Sequence, residues 1–197
     1  AANAVRAILW TMRHTGARCN EICKLKHKDI EVRTIKMPDG TKQQTFALFL
    51  QATKSLNDQS RYAIMNYSGY AHLVEYLKLK STFKQFRGED NDWVFPIWRS
   101  PRRSYTENHI GTHFRNVAVR AGVDVLGDRT KQTNATPRAL RRYYIVRQLD
   151  NNTPIEKVAH QVGHSPATTH RYYNSIMKER YEADVYAGSY YPTEDDD

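Results

Sequence analysis

TPRALRRYYIVRQLDNNTPIEKVAHQVGHSPATTHRYY, residues Thr136 to Tyr173, carries three helix starts and a helix stop in one short run. Thr136-Pro137 reads as the first start: threonine caps unpaired N–H groups, and proline has no N–H to lose at the first helical position. Thr153-Pro154-Ile155-Glu156 repeats the signature as a capping box with proline at N1. Ile155, Val158, Ala159 and Val162 then recur at helical spacing until Gly163, a stop signal. Ser165-Pro166 opens a third helix. Three short helices are thus predicted to converge on one site. Arg138 and Arg141 share a helical face, His164 follows a helix end, and Tyr172 and Tyr173 lie about two turns into the last helix.

Those residue types together suit the cutting and rejoining of a phosphodiester. A nucleophile must attack phosphorus in line, charge on the non-bridging oxygens must be neutralised, and the leaving 5′ oxygen must receive a proton. Tyrosine, arginine, and lysine or histidine supply these functions without a metal or cofactor. Arginine suits the second task because its planar fork binds phosphate oxygens in pairs and stays charged. A tyrosine nucleophile conserves the bond energy in a phosphotyrosine link, so a second hydroxyl can reverse the step without ATP.

Other motifs lie upstream. HTGARCNEICKLKHKDI, His14 to Ile30, sets a glycine-x-arginine turn ahead of Glu21, Leu25 and Asp29. ATKSLNDQSRYAIM, Ala52 to Met65, has a lysine in a hairpin-like turn, and Trp93-Val94-Phe95-Pro96 reads as a short strand. With these segments in place the chain resembles the tyrosine recombinase (phage integrase) family, specifically its catalytic domain, over roughly residues 4–176. The resemblance implies Arg18 as the first catalytic arginine and Lys54 as the catalytic lysine, with Lys42 in the other turn as its rival. It aligns Arg138-Ala139-Leu140-Arg141 with the His-x-x-Arg box and Gly163-His164-Ser165 with the Gly-His box. The nucleophile is then Tyr173, nine residues beyond His164, in preference to Tyr172. Glu21 is expected to be a structural partner of a nearby base.

One departure stands out. The first position of the box, usually histidine, is Arg138, whose guanidinium can bind phosphate but is a poor proton acceptor. The implied reaction has Tyr173 forming a 3′-phosphotyrosyl bond and freeing a 5′ hydroxyl. Arg18, Arg138, Arg141 and His164 stabilise the transition state, and Lys54 protonates the leaving group. The expected function is site-specific DNA recombination, with double-stranded DNA as partner and self-association into a synaptic tetramer. A type IB topoisomerase-like enzyme and a non-catalytic DNA-binding module of the same fold are the alternatives. The resemblance also implies a core-binding domain ahead of the catalytic one. The chain opens on a first catalytic helix, so a fragment of a longer protein is expected.

Composition agrees with a DNA partner. The 197 residues carry a net charge of +9; Glu194-Asp195-Asp196-Asp197 hold four of the 21 acids and no base, so residues 1–193 carry 30 bases against 17 acids, a net +13. A basic globular body favours phosphate contacts and salt-sensitive binding. Arg99, Arg102 and Arg103, ahead of a helix near 105–121, and Arg129 and Lys131, in the polar loop before Arg138, are the DNA-facing candidates. At 40% hydrophobic residues, with no apolar run of membrane-spanning length and no secretory signal, an intracellular protein without a membrane partner is expected. Cys19 and Cys23, four apart on one presumed helix, fit core packing in a reducing compartment rather than a disulfide framework. His109 and His113 have a zinc-compatible spacing but lack a third ligand, and no metal is expected.

The predicted fold is α+β, mainly α, with a small three-stranded antiparallel sheet. Helices are expected at 3–14, 18–26, 68–80 and 105–121, followed by the three of the opening stretch and a tail helix near 175–187. Strands are expected at Glu31 to Met37, Gln44 to Leu50 and Gln59 to Met65, with turns at 38–43 and 52–58. Ile110, Phe114, Val117, Ala118 and Ala121 recur at helical spacing, and Tyr143 and Tyr144 read as buried helix residues. Residues 1–187 are assigned to the catalytic domain and 188–197 to an acidic, disordered tail.

Overall fold

Ala4, Val5, Ala7, Ile8, Thr11, Met12 and Thr15 fall on one face of the first helix, α1 (Ala2–Thr15), and all are buried. This face is the spine of a mainly helical domain seen in a computed structural model that describes residues 2–51, 60–83, 86, 89–122, 136–171 and 173. Each fully buried leucine- or isoleucine-sized side chain contributes about 1.5–3 kcal/mol of transfer free energy. Ile8, Met12, Ile22, Leu25, Leu48 and Leu50 are all within 2% of complete burial.

α2 (Cys19–Cys23) is shorter than the expected 18–26. The chain beyond it is drawn off by other partners. Lys26 pairs with Trp93 in an isolated β-bridge, and its N–H donates to Asp29 Oδ2 (2.9 Å) to start a 3₁₀ turn at His27–Asp29. Cys19 and Cys23 are buried in the main core, as expected.

The meander forms as predicted. β1 (Ile30–Lys36), β2 (Lys42–Leu50) and β3 (Arg61–Ile64) lie in that order and pair antiparallel, with Ile30 opposite Leu48 and Leu50 opposite Arg61. Asp39 Oδ1 closes the first turn by accepting from the Thr41 N–H (2.9 Å) and hydroxyl (2.6 Å). The turn expected at 52–58 lies outside the described residues. α3 (Tyr67–Ser81) follows, capped by Asn66 Oδ1 accepting from Gly69 N–H (2.9 Å), and packs on α1.

A second, two-stranded sheet was not expected. β4 (Pro96–Ile97) pairs with β5 (Ser100–Ser104), so Arg102 and Arg103 ride on a hairpin rather than a loop. α4 (Glu107–Arg120) starts with a reciprocal cap: His109 N–H donates to Thr106 Oγ1 (3.4 Å), and Thr106 N–H donates to His109 Nδ1 (3.3 Å). Only part of its apolar repeat is covered: Ile110 and Ala118 are buried, whereas Val117 and Ala121 are exposed.

α5 (Arg138–Asp150), α6 (Ile155–Val162) and the helical residues 166–171 are the three helices of the opening stretch. Their caps differ from expectation. α5 starts at Pro137 without a side-chain cap. Thr153 donates to Gln148 Oε1 (3.2 Å) instead of capping α6, so no capping box forms there. At Ser165 the cap does form, its Oγ accepting from Thr168 N–H (3.2 Å). Tyr144, Ile145, Val158 and Val162 make a small second core. The tail helix near 175–187 and the acidic 188–197 lie outside the described residues. Among the described residues, no helix is long and apolar enough to cross a membrane.

Candidate active site

Two glycines in left-handed backbone conformation frame the site. Gly16 (φ +67°) ends α1; an added Cβ there would lie 2.5 Å from Cδ1 of Tyr144 and 2.7 Å from Cγ1 of Val162. Gly163 (φ +70°) ends α6 with paired closing bonds, Gly163 N–H to His160 O (3.2 Å) and His164 N–H to Ala159 O (2.9 Å). The second bond anchors the backbone of half-buried His164.

Arg141 ties the two turns together. Its buried guanidinium donates to Gly16 O (2.7 Å) and to Val162 O (2.6 Å). Arg18 lies two residues beyond the first carbonyl and His164 two beyond the second, so Arg141 holds together the two turns that lead to them although the chain separates these widely. Arg18 is the N-cap residue of α2, with its side chain 35% exposed. Arg138, the first residue of α5, is exposed one turn ahead of Arg141, and Tyr173 is helical and half-buried. Arg99, Arg102 and Arg103 are exposed on and beside the β4–β5 hairpin. Lys54, Arg129, Lys131 and Tyr172 lie outside the described residues.

Glu21 is the structural partner expected of it. Oε2 accepts from Arg18 N–H (2.6 Å) and Oε1 from Arg18 Nη1 (3.1 Å). Burial pushes its carboxyl pKa up, but the hydrogen bonds and charge of Arg61, with those of Arg18, outweigh this and hold it below the usual carboxylate value. Arg61 was not singled out from sequence. It is buried at the start of β3 and makes a two-pronged pair with Glu21, Nη1 to Oε1 (2.8 Å) and Nη2 to Oε2 (2.9 Å). A signal existed: Arg61, Ala63 and Met65 alternate on one strand face, so a charge facing inward there needs a partner.

Tyr143 corrects another expectation. Tyr144 is buried, and burial pushes its phenol up to about 12, but Tyr143 is 39% exposed. Its hydroxyl accepts from Arg13 Nη2 (3.2 Å) and Arg147 Nη1 (2.9 Å), and these two bonds hold its pKa below the usual phenol value. A cleft of about 380 Å³ between the sheet and α5–α6 is lined by His14, Gln44, Tyr144 and Gln161, among others, and by none of the expected catalytic residues.

Residues 2–180 match the Phage integrase family. Among solved structures, the XerA recombinase aligns with a TM-score of 0.62 at 25% identity, over 92% of this chain and 56% of that one. The XerH site-specific recombinase bound to difH substrate, a pre-cleavage complex, aligns at 0.59 and 19% identity, over 86% and 42%. The Tn1549 transposon integrase in complex with circular intermediate DNA aligns at 0.59 and 18%, over 90% and 59%. The chain thus spans between 42% and 59% of the length of these relatives. No curated protein matches it.

Proposed function

The chain belongs to the phage integrase family, and on that premise we propose that residues 1–187 are the catalytic domain of a site-specific tyrosine recombinase acting on double-stranded DNA. The observation that carries this reading is the pair of bonds from Arg141 to Gly16 O and Val162 O, which gathers the arginine turn, the Arg-x-x-Arg box and the Gly-His box around one point.

In this reading the Tyr173 hydroxyl attacks the scissile phosphorus in line. The phenolic oxygen gives up its proton to solvent and forms the new P–O bond as the bond to the 5′ oxygen breaks, and that oxygen leaves with a proton from Lys54. Partly exposed Arg18 and exposed Arg138 take non-bridging oxygens, and His164 hydrogen-bonds another. Buried Arg141 spends two donors on carbonyls, so its role combines charge with holding the frame. Lys54 is preferred to Lys42 because it belongs to the segment joining Leu50 to Arg61, which reaches Glu21, whereas Lys42 pairs with Lys36 at the other end of β2. Neighbouring residues of an α-helix point about 100° apart, so one of Tyr172 and Tyr173 serves the phosphate. Arg99, Arg102, Arg103, Arg129 and Lys131 supply backbone contacts, and synapsis joins four protomers in the cell's DNA-containing compartment.

The test uses nicked duplexes tiled across the DNA flanking the gene, from which cleavage cannot reverse. Covalent protein–DNA adducts support the enzyme, and their absence on every tile, with binding retained, supports the DNA-binding module. Recombination between two labelled copies of the trapped site separates a recombinase from an enzyme that only relaxes DNA.

A further inference from the structure

We propose that Arg61 is a positioning residue for the reaction, setting both the guanidinium of Arg18 and the turn that carries His164. The inference rests on the catalytic reading above. Arg61 is 6% exposed and spends its whole fork: Nη1 and Nη2 on the two oxygens of Glu21, and Nε on Gln161 O (3.1 Å). The same two oxygens of Glu21 hold Arg18, one through its backbone N–H and one through Nη1. One buried side chain therefore reaches the first arginine through a carboxylate, and reaches α6, two residues before Gly163, through a carbonyl.

The fit at Gly163 is an independent sign of the same link. A Cβ there would lie 2.6 Å from Nη1, 2.7 Å from Cζ and 2.9 Å from Nε of Arg61. The turn before His164 thus rests directly on the Arg61 guanidinium, and residue 163 must lack a side chain for it to do so.

Charge explains why an arginine stands here. A buried carboxylate facing Arg18 alone would form a closed ion pair with it, competing with a phosphate for the guanidinium. Sharing that carboxylate with a second arginine leaves the cluster one positive charge in excess, and Arg18, 35% exposed against 4% for Arg61, is its accessible member. An apolar residue of similar volume would fill the space without providing this excess.

The experiment compares Arg61→Lys in two backgrounds, wild type and Arg18→Lys, using the full chain and the trapping duplex. Unchanged near-ultraviolet circular dichroism establishes that each variant is folded, and Glu21→Gln serves as the second variant if Arg61→Lys is not. In the wild-type background the trapping rate should fall on the order of 100-fold, the scale for a catalytic group displaced by about an ångström. In the Arg18→Lys background the same change should cost about tenfold less than in wild type, because one of the two groups that Arg61 positions is already altered and only the His164 turn remains. Equal losses in both backgrounds, or none in the first, would overturn the proposal. If wild type traps no duplex, the enzyme reading fails separately, and the Nε–Hε resonance of Arg18 still decides: it should be ordered in wild type and averaged in Arg61→Lys. An unchanged resonance would also overturn the proposal.

Discussion

A methyl group added at Gly163 would sit 2.6 Å from Arg61 Nη1, on a backbone with φ +70°. Gly40 offers a control with φ +83° and nothing within 4 Å. Gly40→Ala should cost only the left-handed penalty, about 1–2 kcal/mol. Gly163→Ala should add a steric cost, for a total of about 2–5 kcal/mol. Urea denaturation of both variants measures the difference, and equal costs would mean that Arg61 yields freely. The residues were unevenly legible. Arg18, Arg141 and His164 stood out because each follows a turn or cap signal that shows in local sequence. Arg61 did not, because its partner Glu21 is 40 positions away and only the folded register brings them together. Tyr143 was misread because adjacent tyrosines on a helix face different directions, and two arginines from α1 and α5 hold one of them at the surface.

At the scale of elements, α6 is fastened to β3 by two side chains, Arg61 through the Gln161 carbonyl and Gln161 through the backbone of Ile64. Gln161 accepts from Ile64 N–H (3.1 Å) and donates to Ile64 O (2.7 Å), taking the place of a neighbouring strand. Gln161→Ala should cost about 1–3 kcal/mol by leaving these part-buried groups unpaired. In native-state exchange the Ile64 amide should lose protection while amides in the middle of β2 keep theirs; unchanged protection would show that water replaces the side chain. The large elements were readable because α1 repeats its apolar residues at a period of 3.6 and the meander is punctuated by turn signals such as Pro38-Asp39-Gly40. The β4–β5 hairpin was not, since Ser-Pro-Arg-Arg-Ser has neither β-branched nor aromatic residues and its pairing depends on a neighbouring scaffold, including Trp93 Nε1 donating to Arg102 O (3.1 Å). α2 was overestimated because Lys26 is captured by a β-bridge to distant Trp93 and by Asp29, which starts a separate 3₁₀ turn.

Across the whole molecule, two half-buried histidines link stability to pH. Burial, then the charges of Arg13 and His72, lower His14 to about 4; burial, then Lys80, lowers His27. Both pKa values fall below the ordinary 6.5, so the unfolded chain takes up these protons first, and stability should decline as pH falls from about 6.5. Glu21, also lowered, adds its loss only below about 4.5. The melting temperature should therefore be lower at pH 5 than at pH 7.5, before most carboxylates titrate. His14→Phe, which preserves the ring stack on Trp10, should flatten part of that slope; an unaltered slope would remove His14 from the explanation. Lys80 belongs to the same node, donating to His27 Nε2 (2.7 Å) and to Trp93 O (2.6 Å), so protonated His27 would lose an acceptor role and face a second cation. The basic body outside the acidic end fits DNA contact at the same scale, and the three boxes converge through Arg141 rather than through any single element. What joins them is a covalent step assigned to Tyr173. The most direct measurement is mass spectrometry of the protein–DNA adduct trimmed by nuclease, with fragment ions locating the nucleotide within the tryptic peptide that starts at Tyr172. The expected result is a phosphonucleotide on Tyr173, with no adduct from Tyr173→Phe and an undiminished one from Tyr172→Phe. A nucleotide on Tyr172, or an adduct that survives Tyr173→Phe, would contradict it.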